Sequence, residues 1–241
     1  MSLQSITSDD SPQRAAAIAA NVAGARAAIA SAAEACGRNP ADITLVAVSK
    51  TKPAALVRAA AAAGCGDFGE NYLQDAVAKI ESLADVPATW HFIGAIQSNK
   101  TRQIAEHFHW VHTVARQKIA ERLSAQCPPD RILNVTLQVN VDEDPAKAGV
   151  DPAQASRLLA AVRDLPNLRV RGLMTILQRD SAPLASYRRL ADLFESLRPG
   201  APQPWDTLSM GMSGDFAEAI AAGATHVRIG TAIFGARDAN P

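Results

Sequence analysis

Between residues 43 and 234 the chain alternates, eight times over, a short apolar run with a longer amphipathic one. The short runs are ITLVAV (43–48), DFGEN (67–71), TWHFIG (89–94), WVHTV (110–114), LNVTLQVNV (133–141), RVRGLMTI (169–176), DTLSMGM (206–212) and HVRIG (226–230). Most are continuously apolar or rich in β-branched residues, the pattern of strands covered on both faces in a parallel sheet. Helical segments such as YLQDAVAKIESL, RQKIAERLSAQ and LASYRRLADLFESL separate them, and a short helix closes the series. Parallel strands joined by helices take right-handed crossovers. Eight such units in 241 residues predict an α/β fold, a single (β/α)8 TIM-type barrel, ahead of an open doubly wound sheet.

One extra helix precedes the first strand. Asp10 or Ser11 is placed to cap it, and Pro12 suits its first turn. Ile18, Val22, Ala25 and Ile29 recur at helical spacing until Cys36 and Gly37 stop the run. No Pro/Gly/Ser-rich linker divides the chain, so residues 1–241 are expected to form one domain, with 1–12 a flexible lead.

Lys+Arg and Asp+Glu both number 24, so the formal net charge is zero. That removes a global electrostatic reason to expect nucleic acid or an anionic membrane as partner. The polar, acidic N-terminus lacks the apolar core of a signal peptide, and the alanine-rich stretch at 54–64 has too little bulk for a membrane span. A cytoplasmic protein is expected. Cys36, Cys65 and Cys127 are odd in number and far apart, which fits neither a disulfide framework nor a zinc site. The five histidines include HFHWVH (107–112), which would split between a helix end and a strand, so no metal site is expected. Walker A and GxSxG motifs are lacking, and no GxGxxG follows a strand.

In a barrel the chemistry belongs at the C-terminal ends of the strands. The polar residues expected there are Ser49, Lys50, Glu70, Asn71, His91, His112, Asn140, Ser209 and Arg228, with Met174 among them. Lys50 ends an apolar strand. An amine held among apolar walls and near another cation, here Lys52, loses part of its preference for the ammonium form and becomes a nucleophile toward aldehydes. A lysine in that position is more often just a strand meeting water. GMSGDF (211–216) and RIGTAIFG (228–235) place Ser213, Gly214, Gly230 and Thr231 at the turns after the last two strands, where barrels hold phosphate. Arg228 lies inside the last strand. It needs a partner, either Glu70 or an aspartate in a structural ion pair, or an acceptor on a ligand.

AVSKTKP (47–53), FGENYLQDA (68–76), WHFIGAIQSNK (90–100), RGLMTI (171–176), LSMGMSGDFAEAI (208–220) and VRIGTAIFGAR (227–237) closely resemble the pyridoxal phosphate homeostasis family, single-domain relatives of the alanine racemase barrel. The likeness runs from about residue 14 onward, with the motifs in the family's order. It departs at Ala95, where a proline is common, and at Ala148, where a serine is usual. The resemblance implies a barrel that carries pyridoxal 5'-phosphate as a Schiff base on Lys50. It also implies that Ser213, Gly214, Gly230 and Thr231 hold the phosphate, that Arg228 faces the pyridine nitrogen, and that Asn71 and Met174 line the ring pocket.

An arginine stays charged and does not protonate that nitrogen, which makes the cofactor a poor electron sink. The chain ends at Pro241 without the second domain that brings an acid/base tyrosine in racemases. Its tyrosines, Tyr72 and Tyr187, fall in predicted helices. The expectation is therefore a monomeric, non-enzymatic protein that stores, buffers or delivers the cofactor, with apo pyridoxal phosphate enzymes as recipients. A weak amino-acid racemase or decarboxylase is the alternative. A phosphosugar enzyme using the same phosphate turns ranks below both.

Overall fold

The computed structural model describes residues 12–178 and 182–236. Helix α1 (Pro12–Ala35) leads. Then come β1 (Thr44–Val48), α2 (Ala54–Ala62), β2 (Asp67–Glu70), α3 (Leu73–Ser82), β3 (Thr89–Phe92) and α4 (Thr101–His107). The middle holds β4 (Trp110–Val114), α5 (Gln117–Gln126), β5 (Leu133–Gln138), α6 (Ala155–Val162) and β6 (Leu168–Met174). The series ends with α7 (Pro183–Leu197), β7 (Thr207–Met212), α8 (Phe216–Ala221), β8 (His226–Ile229) and α9 (Thr231–Phe234). The strands pair in parallel in chain order, and β8 returns to β1, closing the barrel. The expected fold class is thus the observed one. The expected cap residues of α1, and the expected flexible lead apart from Pro12, lie outside the described residues.

Three strands stop two or more residues short of the apolar pattern. The third ends at Phe92 rather than residue 94. The fifth was expected to run to residue 141 but ends at Gln138, and the sixth stops at Met174 rather than 176. Beyond Gln138 the chain keeps only an isolated bridge, Val139 to Val150, so apolar composition persists where the sheet has run out of partners.

The main apolar core lies between strands and helices. Phe68, Phe92, Phe108, Leu123 and Leu133 are all buried there. Strand alternation then turns the other set of side chains into the barrel. That inner set is unusually polar: His91, His112, Ser209 and Arg228 are buried there, and Trp110 and His226 pack against the two other imidazoles. Arg171 stacks over Trp110 at 4.9 Å and pairs with Asp206.

Among the described residues α1 is the one helix long and apolar enough to cross a membrane by length and composition. It lies instead along α2, α8 and α9, with Ile18, Val22, Ala25, Ile29 and Ala33 buried. Polar ties fix it there: Asn21 donates to the Ile233 carbonyl, and Arg26 to that of Gly64.

Candidate functional site

A cavity of about 320 Å³ opens at the C-terminal mouth of the barrel. Lys50, Lys52, Asn71, Ser213, Gly214, Arg228, Gly230 and Thr231 line its polar part, and Val48, Ile93, Ile176, Met212 and Phe234 its apolar part. All but one of the cofactor-shell residues expected from the sequence come together here. The exception is Met174, which is fully buried between Gln138 and Ser209 in the sheet, while Ile176, just past the strand end, lines the cavity. His91, His112 and Ser209, expected at the mouth, sit below it inside the barrel, sealed from solvent.

The turn carrying Lys50 is anchored through its neighbour. Ser49 donates its hydroxyl to Glu70 Oε1 at 2.6 Å, and its carbonyl accepts from Lys79 Nζ at 2.8 Å. Lys79 also reaches Glu70 Oε1 at 2.6 Å, so a buried ion pair from β2 and α3 grips the end of β1. Burial pushes the Glu70 carboxyl up despite Lys79 and Ser49. Thr51, directly after Lys50, adopts φ +63°. That left-handed conformation is costly for a β-branched residue, and such strain concentrates at functional turns. Lys52, the second cation of this turn, is 6% exposed and donates to the Ala236 carbonyl at 2.6 Å.

Arg228 has no carboxylate within ion-pair distance among the described residues. Its Nη1 donates to Ser209 Oγ and its Nη2 to the Thr175 carbonyl, both at 2.8 Å. Of the partners weighed for Arg228, Glu70 is the one already taken, since Lys79 holds that carboxylate. Burial pulls the guanidinium down to about 10, while Tyr187 and Asp215 oppose the shift. It remains a cation at neutral pH.

The turns after β7 and β8 are set by the β7–β8 pairing. Ser209 lies opposite His226 and Met212 opposite Arg228, so β7 carries one extra residue over that span. The irregularity brings the turn at Ser213 and Gly214 over the end of β8. The first residues of α8 and α9 leave N–H groups without intrahelical acceptors. A side chain at Gly230 would put its Cβ 3.2 Å from the Val48 carbonyl, a tighter contact than most Cβ atoms make, so glycine eases the close approach of this turn to β1. Asn71 is held by a similar constraint, since a Cβ on Gly94 would sit 2.1 Å from the Asn71 carbonyl.

These features fit an anionic, aldehyde-bearing aromatic cofactor. The titratable side chains on the described lining are all cations, beside a serine hydroxyl and two N–H-rich turns. Asn71 Oδ1 is buried without a hydrogen-bond partner among the described residues, which suits an acceptor facing a ligand donor. Tyr187 is buried on α7, its phenol pushed above its usual range by burial, and Tyr72 is largely exposed; neither lines the cavity. Among the described residues no group of three or more His, Cys, Asp or Glu side chains is arranged to hold a metal.

The chain matches the family model for the alanine racemase N-terminal domain over residues 15–238. It is 57% identical to a pyridoxal phosphate homeostasis protein of Pseudomonas aeruginosa, covering 92% of this chain and 96% of that one. Identity to the Escherichia coli protein of the same name is 50%, over 92% and 97% of the two chains. PipY of Synechococcus elongatus, solved with PLP bound, superposes with a TM-score of 0.79 at 38% identity, over 90% of this chain and all of that one. The chain belongs to the alanine racemase N-terminal domain family and, within it, to the pyridoxal phosphate homeostasis proteins.

Proposed function

We propose that this chain is one barrel domain over 1–241 that binds pyridoxal 5'-phosphate through Lys50 and serves its homeostasis by storage, buffering or delivery, without robust catalysis. When bound, the cofactor supplies an aldehyde open to capture by an amine and an electron-withdrawing ring. Lys50 is the amine. Ser213 and the N–H groups of the turns at Gly214, Gly230 and Thr231 would hold the phosphate. Lys52 and Arg228 add positive charge, and Val48, Ile93, Ile176 and Phe234 exclude water from the ring.

The observation that carries this reading is the cavity's wholly cationic set of titratable groups. It favours retention of an anion, and among the described residues it offers no carboxylate, imidazole or phenol to move a proton to or from a bound amino acid. Arg228 facing the ring nitrogen would keep that nitrogen unprotonated. The names of the relatives support the same reading. A cytoplasmic monomer that passes the cofactor to apo enzymes completes it.

The test is the visible spectrum of protein reconstituted with pyridoxal phosphate. Wild type should be yellow, and Lys50→Ala should lose the band. Equal colour in both proteins sinks the assignment of Lys50. Amino-acid-dependent exchange of Cα hydrogen with solvent deuterium by the loaded protein would restore the racemase reading.

A further inference from the structure

Inside the barrel a continuous chain of hydrogen bonds, buried except at its last link, leads from Arg228 to the opposite end of the sheet. Arg228 Nη1 donates to Ser209 Oγ at 2.8 Å. Ser209 Oγ meets His112 Nδ1 at 2.7 Å, His112 Nε2 meets His91 Nδ1 at 2.9 Å, and His91 Nε2 meets Asp67 Oδ1 at 2.9 Å. Ser209, His112 and His91 are fully buried. Asp67 begins β2, its side chain is 31% exposed, and it lines a separate cavity of about 420 Å³ with Arg26, Pro40, Ile43 and Gly66. The chain thus joins β2, β3, β4, β7 and β8, and connects an opening at the N-terminal end with the cationic cavity at the other.

Its direction is fixed by its ends. A guanidinium only donates and a carboxylate only accepts. Ser209 Oγ therefore accepts from Arg228 and gives its proton to His112 Nδ1. His112 must then carry its own proton on Nε2, which it gives to His91 Nδ1. His91 likewise carries a proton on Nε2 and gives it to Asp67. An imidazolium at His112 would set a second donor against Ser209 Oγ and a second buried charge beside Arg228. Burial first, then His91, His226 and Arg228, hold that ring neutral.

We propose that Asp67, His91, His112 and Ser209 are positioning residues for Arg228. They form a one-way relay that sets the direction of its guanidinium and carries the charge of Asp67 into the cofactor cavity. The coupling to the cofactor rests on the pyridoxal phosphate reading above; the orientation of the relay does not. Hydrogen bonds in such a series polarise one another, so a change of charge at one end is felt at the other. The remaining charged or titratable groups around it are few. His226 packs beside both imidazoles and faces Asp206 and Arg171. His109 and Cys65 lie near Asp67, and Tyr187 and Asp215 near Arg228.

The first test needs no variant: nitrogen NMR of the cofactor-free full chain with ¹⁵N-labelled histidine at neutral pH. His91 and His112 should both be neutral with the proton on Nε2. A proton on Nδ1 of either ring, or an imidazolium, overturns the relay. The second test compares Asp67→Asn and Ser209→Ala with wild type. Asp67→Asn, which keeps an acceptor but loses the charge, should shift the ring nitrogens of His112 as well as those of His91. After loading with pyridoxal phosphate it should also displace the visible band. Ser209→Ala should displace the band further and speed cofactor release by about tenfold, the effect of one charge-assisted hydrogen bond. Shifts confined to His91, or a visible band unmoved in both variants, overturn the coupling. If wild type takes up no pyridoxal phosphate, the cofactor reading fails on its own, and the ring-nitrogen spectra still decide the relay.

Discussion

Lys79 and Arg228 are both nearly sealed from solvent, at 7% and 4% exposure, yet they are held in opposite ways. Lys79 has a carboxylate 2.6 Å away and is neutralised where it stands. Arg228 is held by a hydroxyl and a backbone carbonyl, with its counter-charge displaced to Asp67 through two imidazoles. A buried cation whose partner is local is structural, and here it clamps the turn that carries Lys50. A buried cation surrounded by neutral acceptors keeps its field, which at this position extends into the cavity. Lys79 sits on α3 and Arg228 inside β8, and both are buried, so burial alone does not separate the roles.

The contrast is broken most severely at the clamp. Glu70→Leu leaves Lys79 charged and unpaired in the interior, and unfolding free energy should fall by about 3–5 kcal/mol in urea denaturation. Adding Lys79→Met should recover most of that loss, since a buried pair is replaced by apolar groups. A single variant within 1 kcal/mol of wild type, as an order-of-magnitude bound, would show that the pair is no clamp.

Acid should act on the other cluster. His91, His112 and His226 are all held below the ordinary 6.5 by burial, His226 down to about 3. Below 6.5 the unfolded chain binds protons that the folded rings refuse, so stability is lost as pH falls through that window. The slope approaches about 1.4 kcal/mol per pH unit for each ring that stays neutral. Denaturation between neutral pH and about pH 4, with and without His112→Asn, measures it; an unchanged slope would mean that His112 is not held neutral.

Arg228→Gln should be milder in the cofactor-free protein, at about 1 kcal/mol, because no carboxylate is stranded. Its main effect should appear in the spectrum of the loaded protein. Thr51→Gly should be smallest, a gain of about 0.5–1 kcal/mol from relief of the left-handed backbone. It should be measurable as a rise in the urea midpoint.

Much of this was legible in sequence because parallel strands covered on both faces leave continuous apolar runs, and because Lys50, Ser213, Gly214, Gly230 and Thr231 reach the cavity lining from turns next to their strands. Met174 was misplaced because strand parity and the point where pairing ends decide between it and Ile176. Lys79 reads as a solvated helix charge, and only the packing of α3 on β2 delivers it to Glu70. The relay was invisible for a related reason. His112 and Ser209 are 97 residues apart, and each reads alone as a polar residue in an apolar strand. Barrel closure is what makes them neighbours.

The central claim is that Lys50, and not Lys52, is the covalent lysine. Borohydride reduction of the pyridoxal phosphate-loaded wild-type protein, followed by peptide mass mapping, tests it most directly. The account predicts a pyridoxyl phosphate adduct on Lys50, with Lys52 unmodified because its amine is buried against the Ala236 carbonyl. An adduct on Lys52 with Lys50 unmodified, or full labelling of the protein with neither lysine modified, would contradict it.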